Sequence, residues 1–375
     1  MSSIVRPKLI ALLWVATALI ALIACGSKEA PTSCVPSTCA PNESLPTPAA
    51  VANPVFPGAD WQMSSPEAEG MDAAPLDNID AYCVEHGCRA VVIVRHGRII
   101  WERYWGGWNE TSTDNSWSMA KSVVSALVGI AIDEGKIKGL GESASDFIPE
   151  WRGSQREKIT IGQLLSMTSG LTWAMLYDPL SGDTIKMLQK DDQLAYALNR
   201  QIYREPGTDW YYSDGDAESF SRVIKAATGM EVGEYAQEKL FGPIGMRSAD
   251  WMTDQRGQAM TYCCIMDTAR DFARFGYLFL RNGKWAGQQV VPEDWVKTST
   301  QPSQIENMNY GYYWWLYDFP NAPKDLYAAM GFATKRLYVI PSLDIIAVRL
   351  GEGDDLNWND DTFLKPIVDA VAGGN

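Results

Sequence analysis

The chain has 375 residues and a formal net charge of −14, and it contains only two histidines. Nucleic-acid binding needs a basic surface, so no nucleic-acid partner is expected. His86 and His96 fall at the end of a predicted short helix and at a predicted hairpin tip, so neither favours a Ser-His-Asp triad. No metal site is expected either, because histidines are few and no Cys-x-x-Cys occurs.

The first 24 residues predict an export signal. Arg6 and Lys8 precede a 16-residue apolar run, Leu9 to Ala24, which is short for a membrane span and typical of a signal peptide. Leu-Ile-Ala-Cys ending at Cys25 resembles a bacterial lipoprotein cleavage site, so Cys25 is the expected lipidation site. The alternative is an ordinary signal peptide that happens to contain a cysteine. We therefore expect an exported protein, lipid-anchored at the bacterial envelope and facing the periplasm or the cell exterior.

Residues 25–60 predict a tether, because they are rich in Pro, Ser and Ala without periodicity. Residues 61–375 are long enough for one large catalytic domain. Seven cysteines become six once Cys25 is lipidated, an even number in an oxidising compartment. Cys34–Cys39 and Cys83–Cys88 are candidate disulfides that close short loops, whereas the adjacent Cys263 and Cys264 form either a vicinal disulfide or two buried thiols.

The elements of the domain predict an α+β fold. Strands from both ends of the chain with helices between them imply an antiparallel sheet flanked by helices, with a large helical insertion. A cleft is expected at the boundary of the two parts. In chain order, the pattern predicts a helix at Pro75–Glu85, strands at Arg89–Arg95 and Arg98–Tyr104, mostly helix over 118–285, strands at Tyr310–Tyr317, Lys335–Ile340 and Ile345–Leu350, and a closing helix at Asp361–Ala372.

Ser118 and Lys121 are the candidate nucleophile and base. A helix is predicted to begin at Ser118, with Asn115 or Ser116 as its cap and Gly135 at its end. Residues three apart share a helix face, and backbone N–H groups in the first turn favour an oxyanion. An apolar helix desolvates Lys121, which predicts a lowered lysine pKa and a proton acceptor near neutral pH.

The order of motifs resembles the serine β-lactamase and penicillin-binding-protein hydrolases over about Trp61 to Ala370. Within that family, the chain is most similar to class C β-lactamase-type enzymes of the 6-aminohexanoate-dimer hydrolase-like branch. The segments that carry the resemblance are Trp117–Val123, Ile159–Leu171, Glu205–Gly207 followed by Tyr212-Ser213-Asp214, Thr268–Gly276 and Val339–Pro341.

The resemblance implies an acyl-enzyme mechanism without a cofactor. Ser118 attacks the substrate carbonyl, Lys121 and Tyr212 shuttle the proton, and Asp214 supports Lys121 in place of the family's usual Asn. The backbone N–H of Ser118 and that of Ala329 or Met330 would hold the oxyanion. A low tyrosine pKa, favoured by a nearby lysine cation, is expected if Tyr212 is the base.

One departure bears on the substrate, because the family's Lys/His-Thr/Ser-Gly triplet has no counterpart here. Lys335 follows several residues too late but is kept as a candidate substrate-binding cation. Trp117, Trp173 and Tyr177 are further substrate-binding candidates, and the alternative for the tryptophans is ordinary core.

The expected function is hydrolysis of small carboxylic esters or linear amides. The alternatives are a class C-type β-lactamase, a D-amino-acid peptidase, or a non-catalytic binding or sensor protein of the same fold. The expected partners are a small ester or amide substrate and a membrane reached through the N-terminal lipid only, while the oligomeric state is not predicted.

Overall fold

The computed structural model describes residues 54–175, 182–303, 309–352 and 357–373. Among these residues, no helix is both long and apolar enough to cross a membrane. The strands are β1 Cys88–Arg95, β2 Arg98–Tyr104, β3 Thr113–Asn115, β4 Asp250–Trp251, β5 Ile265–Thr268, β6 Lys284–Trp285, β7 Gln288–Gln289, β8 Tyr327–Gly331, β9 Lys335–Ile340 and β10 Ile345–Gly351. The helices are α1 Asp77–Glu85, α2 Ala120–Asp133, α3 Ile161–Leu165, α4 Asp183–Leu188, α5 Gln193–Leu198, α6 Asp214–Thr228, α7 Val232–Ala236, α8 Gly242–Ile244, α9 Ala269–Leu280, α10 Glu293–Ser299 and α11 Asp360–Gly373.

The main sheet joins the two ends of the described chain. Its strand order is β2-β1-β10-β9-β8, and every neighbouring pair is antiparallel. Strands β3, β5 and β4 form a second small sheet. The helices between β2 and β8 make up the predicted insertion, so the α+β fold with an antiparallel sheet is confirmed.

Both faces of the main sheet are covered, which explains why its central strands are apolar throughout. In β1, Ala90, Val92 and Val94 enter the larger core with the helical insertion. Val91 and Ile93 point to the opposite face and enter a smaller core with residues of α1 and α11. The alternation follows from the two-residue period of a strand.

Helix α2 lies in the larger core and is buried along almost its whole length, from Ala120 to Ala131. A side chain at Gly129 would come within 2.2 Å of the Trp295 ring, so the glycine lets α10 approach. Helix α6 packs against α2. The first turns of these two helices therefore lie close together, and they carry the candidate site residues.

Two predicted elements differ in the structure. The segment predicted as a strand at Tyr310–Tyr317 folds back on itself, because Tyr310 bridges Trp315 and Tyr313 has a positive φ of 64°. The edge strand of the main sheet is instead β8, which the sequence did not predict. Helix α2 begins at Ala120, after a 3-10 turn at Trp117–Met119, rather than at Ser118.

The structure contains two disulfides within the described residues. Cys83 at the end of α1 is bonded to Cys88 at the start of β1, where both enter the smaller core. Cys263 is bonded to its neighbour Cys264 in the larger core. Cys25, Cys34 and Cys39 lie outside the described residues.

Candidate active site

The nucleophile candidate sits on a constrained turn between β3 and α2. Trp117, just before Ser118, has a positive φ of 46°, which is uncommon for a residue with a side chain. Asn115 accepts a hydrogen bond from the Trp117 N–H at 2.9 Å, so Asn115 rather than Ser116 caps this turn. Ser116 instead pairs with Ile265: its N–H donates to the Ile265 carbonyl at 2.8 Å, and its hydroxyl accepts from the Ile265 N–H at 2.9 Å. Ser118 is left half-buried.

Lys121 lies beside Ser118 and makes three hydrogen bonds. Its Nζ is 3.0 Å from Ser118 Oγ, 2.7 Å from Asp214 Oδ1 and 2.6 Å from the Tyr262 carbonyl oxygen. The side chain is only 1% exposed. An ammonium group has three donors and no acceptor. Three acceptors around one nitrogen therefore match the protonated form of the lysine.

The structure corrects the predicted lysine pKa. Burial lowers the pKa of Lys121, as expected, but the charge of Asp214 and the nearby Tyr212 raise it, and the net pKa lies above the ordinary lysine value. The apolar character of α2 misled the prediction, because the acid partner comes from the first turn of a helix that is distant in sequence. Lys121 is therefore a cation in the resting site.

Asp214 is held in place on its other side. Its Oδ2 accepts a hydrogen bond from Thr184 Oγ1 at 2.5 Å, and the carboxylate is 3% exposed. Ser213 caps α6 by accepting from the Asp216 N–H at 3.1 Å, which fixes the helix start. Thr184, on α4, was not predicted as a site residue, because a lone threonine so far away in sequence carries no motif signal.

Tyr212 completes the cluster. The Lys121 Nζ lies 5.0 Å from the centre of the Tyr212 ring, a cation–π distance. Burial raises the pKa of Tyr212, and although the Lys121 charge lowers it, the net pKa is above that of free tyrosine. The expected low tyrosine pKa is therefore wrong, and both proton carriers are protonated in the resting state.

A loop that includes Thr261 and Tyr262, which the sequence did not predict as part of the site, contacts Lys121. Glu218 accepts a hydrogen bond from the Thr261 N–H at 2.9 Å, and Gln193 accepts one from the Tyr262 hydroxyl at 2.8 Å. These contacts fix the loop whose Tyr262 carbonyl faces Lys121. A backbone carbonyl has no residue signature, so the sequence could not have shown it.

Strand β8 runs beside the nucleophile turn. Ala328 exchanges both backbone hydrogen bonds with Trp315, at 2.9 Å each. Because backbone groups alternate along an antiparallel strand, those of Ala329 face β9 and the N–H of Met330 faces outward. Of the two oxyanion candidates, the register favours Met330. A side chain at Gly331 would come within 2.4 Å of the Ser116 carbonyl oxygen, which shows how closely β8 approaches the turn.

The remaining substrate-binding candidates have different positions. Lys335 is 2% exposed and forms an ion pair with Asp114, so it is a buried structural cation rather than the free cation expected. Trp173 is 6% exposed and contacts Gly215, so it belongs to the core. Trp117 is half-buried with its ring centre 5.5 Å from that of Phe332. The fourth candidate, Tyr177, lies outside the described residues.

Aromatic rings form a connected cluster beside Tyr212. Trp315 stacks on Tyr212 with ring centres 5.7 Å apart, and Tyr317 stacks on the Trp315 ring at 5.2 Å. Trp210 and Tyr310 contact Trp315 edge-on. Tyr317 is 38% exposed, so this aromatic wall leads from Tyr212 to the surface. In the parts of the chain that the structure describes, no cluster of three His, Cys, Asp or Glu side chains is arranged to hold a metal ion.

The fold and this cluster together define a protein of the serine β-lactamase and penicillin-binding class. A sequence model of the Beta-lactamase family matches residues 81–365. The chain therefore belongs to the Beta-lactamase family, whose members are hydrolases, and the resemblance stated from the motifs is confirmed.

Individual relatives are distant. The 6-aminohexanoate-dimer hydrolase of Paenarthrobacter ureafaciens is 23% identical over 311 residues, which cover 76% of this chain and 77% of that protein. The structure of EstCE1, described as a hydrolase with promiscuous acyltransferase activity, matches with a TM-score of 0.68 and 16% identity, covering 81% of this chain and 99% of that one. A class C beta-lactamase matches with a TM-score of 0.62 and 16% identity over 80% and 96% of the two chains. At these identities the structural matches establish the fold alone.

Proposed function

We propose that this protein hydrolyses small carboxylic esters or linear amides through an acyl-enzyme on Ser118. The observation that carries the proposal is the 3.0 Å contact between Ser118 Oγ and the buried Lys121 Nζ, with the Tyr212 ring over the same nitrogen. A nucleophile within hydrogen-bond reach of a proton carrier, which a third group orients, is the arrangement that covalent catalysis requires. Asp214 is that third group.

The reaction proceeds in two halves. Because Tyr212 holds its proton in the resting site, it first releases that proton to solvent. Ser118 Oγ then attacks the substrate carbonyl carbon while its proton passes to the phenolate oxygen of Tyr212, and the charge of Lys121 stabilises that phenolate. The N–H groups of Ser118 and Met330 hold the oxyanion. Tyr212 then returns the proton to the leaving alcohol or amine as the carbonyl re-forms. In the second half, water gives a proton to the Tyr212 phenolate as its oxygen attacks the acyl carbon. The bond to Ser118 Oγ then breaks, the carboxylic acid leaves, and Tyr212 returns the proton to Ser118 Oγ.

The proposed substrate class rests on the paired lysines and on the aromatic wall beside Tyr212. Lys335 pairs with Asp114 and Lys121 with Asp214, so neither offers a free charge to a substrate carboxylate. The aromatic wall, which continues from Tyr212 outward, offers apolar surface to an acyl or aryl group. An ester with a good leaving group needs no carboxylate anchor. The name of the 6-aminohexanoate-dimer hydrolase relative supports linear amides as the second class.

The test is turnover of p-nitrophenyl butyrate, a linear amide and nitrocefin by the wild type, Ser118→Ala and Ser125→Ala. Ser125 is a buried serine on the same helix whose hydroxyl has no hydrogen-bond partner within the described part of the chain, so it is the matched control. We expect ester or amide turnover that only Ser118→Ala abolishes. A fluorophosphonate should add to Ser118 in an intact-protein mass spectrum.

Nitrocefin is the discriminating substrate. We expect its kcat/KM to be at least about 100-fold below that of the ester, since losing a charged contact of about 2.7 kcal/mol accounts for that gap. Efficient nitrocefin turnover would favour a β-lactamase instead. A folded wild type that turns over none of the substrates and is not labelled would favour a non-catalytic binding protein.

We also propose that the protein is exported and lipid-anchored through Cys25. The predicted signal peptide and the cleavage-site pattern support this localisation. Full-length protein should partition with membranes, and recovery of the wild type as free periplasmic protein would contradict the anchor.

A further inference from the structure

The Cys263–Cys264 disulfide lies in a loop that contacts both Lys121 and the turn that carries Ser118. One residue before it, the Tyr262 carbonyl accepts the hydrogen bond from Lys121 at 2.6 Å. One residue after it, Ile265 exchanges backbone and hydroxyl hydrogen bonds with Ser116, two residues before the nucleophile. The disulfide therefore lies in the chain between the residue that contacts Lys121 and the residue that contacts the turn before Ser118.

The backbone at this point has an unusual conformation. Cys264 has a φ of 80°, in the left-handed region that residues with a side chain rarely adopt. Both cysteines are nearly fully buried, and their carbonyls accept hydrogen bonds, from the Trp251 indole N–H to Cys263 at 3.1 Å and from the Met252 N–H to Cys264 at 2.9 Å. A bond between neighbouring sulfurs closes a small ring that includes the intervening peptide, and it restricts the backbone there.

We propose that the Cys263–Cys264 disulfide is a positioning element of the catalytic site. It holds the left-handed turn that points the Tyr262 carbonyl at Lys121 and sets Ile265 against Ser116. This inference rests on the proposed function, because the group it positions is the proton carrier. Without the bond, the turn relaxes toward negative φ, and Lys121 loses one of its three acceptors.

Removing the disulfide should change both the pKa of Lys121 and the rate of the enzyme. An acceptor carbonyl favours the charged form of a lysine, so its displacement lowers the pKa of Lys121. The alkaline limb of the kcat/KM profile should therefore move to lower pH. The maximal kcat/KM should fall about tenfold or more, which is the effect of losing a hydrogen bond to a charged group. A merely structural disulfide would change neither the position of that limb nor the rate of the folded enzyme.

The experiment compares four proteins. Cys263→Ala/Cys264→Ala removes the bond and leaves a side chain at the left-handed position, whereas Cys263→Ala/Cys264→Gly removes the bond but places there the residue that accepts positive φ. Cys83→Ala/Cys88→Ala removes the other disulfide, which lies in the smaller core on the opposite face of the sheet. The fourth protein is the wild type. Unfolded in urea without a reductant, its Cys263 and Cys264 are first shown by mass spectrometry to resist alkylation, which demonstrates the bond.

The rates measured are ester hydrolysis and fluorophosphonate labelling of Ser118 across pH. We expect the double-alanine variant to lose rate and shift its alkaline limb, the alanine–glycine variant to recover most of both, and the Cys83/Cys88 variant to match the wild type. If the double-alanine variant does not fold, wild type treated with a phosphine reductant replaces it, with the Cys83/Cys88 variant treated alike as its control.

Three results would overturn the proposal. These are alkylation of both Cys263 and Cys264 in unreduced wild type unfolded in urea, a double-alanine variant with wild-type rate and pH profile, or an alanine–glycine variant no better than the double-alanine one. Failure of the proposed function is a different result, since then the wild type itself neither hydrolyses the ester nor becomes labelled.

Discussion

Asp216 is buried in the first turn of α6, two residues after Asp214 of the candidate site. Its Oδ1 accepts a hydrogen bond from Ser169 Oγ at 2.8 Å, while its Oδ2 has no partner among the described residues. Burial raises the pKa of Asp216 to about 7 from 3.8, and the hydrogen bonds from Ser169 and Ser213 oppose this only in part. The carboxylate form is therefore a cost to the folded state, and Asp216→Asn removes that cost.

The size and sign follow from proton linkage. Between about pH 4 and pH 7 the folded protein keeps a proton on Asp216 that the unfolded chain has lost, so the free energy of unfolding falls as the pH rises. The change from 3.8 to about 7, at 1.36 kcal/mol per pKa unit, gives about 4 kcal/mol. The stability of Asp216→Asn minus that of the wild type should therefore grow by about 4 kcal/mol between pH 4 and pH 8 and be flat above pH 8.

The assay is urea unfolding of both proteins at several pH values with the disulfides intact. Other buried acids, such as Glu218, contribute equally to both proteins and cancel in the difference. The control is Asp133→Asn, at an exposed position at the end of α2, and its difference should change by much less than about 4 kcal/mol over the same pH range. A difference for Asp216→Asn that stays constant within about 1 kcal/mol, or that shrinks as the pH rises, would show that burial does not raise the pKa of Asp216.

Two further predictions concern the catalytic cluster. Asp214→Asn removes the charge that raises the pKa of Lys121, so the alkaline limb of kcat/KM should move to lower pH; an unmoved limb in a pH-rate profile would show that Asp214 does not set the proton balance. In Gly331→Ala the new Cβ would lie 2.4 Å from the Ser116 carbonyl oxygen, so β8 has to move away from the turn. This movement misplaces the Met330 N–H, the proposed oxyanion donor, and should lower kcat about 100-fold. Gly141→Ala, with open space around its Cβ, is the control and should keep the wild-type kcat.

Local patterns in the sequence were enough to predict the parts of the fold that depend on local spacing. Ser118 and Lys121 meet because residues three apart share a helix face, even though a 3-10 turn precedes the helix. The β1–β2 hairpin forms where β-branched runs flank His96-Gly97, and both residues have positive φ. Spacing of this kind survives small errors in element boundaries.

Contacts between distant segments could not be predicted in this way. The aromatic segment after Tyr310 has high strand propensity, yet the chain reverses at Tyr313. A side chain at Gly311 would come within 2.2 Å of the Ser299 carbonyl oxygen, so only glycine fits this close approach. Burial lowers the pKa of Lys121, but the charge of Asp214, 93 residues later, contributes to a net pKa above the ordinary lysine value. Propensity and composition describe neighbours in sequence, whereas these outcomes depend on neighbours in space.

Ion pairs of three cations bear on how this protein could bind a substrate without the family's Lys/His-Thr/Ser-Gly triplet. Lys121, Lys335 and Arg336 each form an ion pair with a carboxylate. Binding a substrate carboxylate with Lys335 would require breaking its buried pair, and removing one partner of such a pair costs about 3–5 kcal/mol. That cost exceeds the roughly 1.5–3 kcal/mol that a hydrogen bond to a charged group contributes. A neutral ester or amide placed against the aromatic wall incurs no such cost, which supports the proposed preference for neutral substrates over anionic β-lactams.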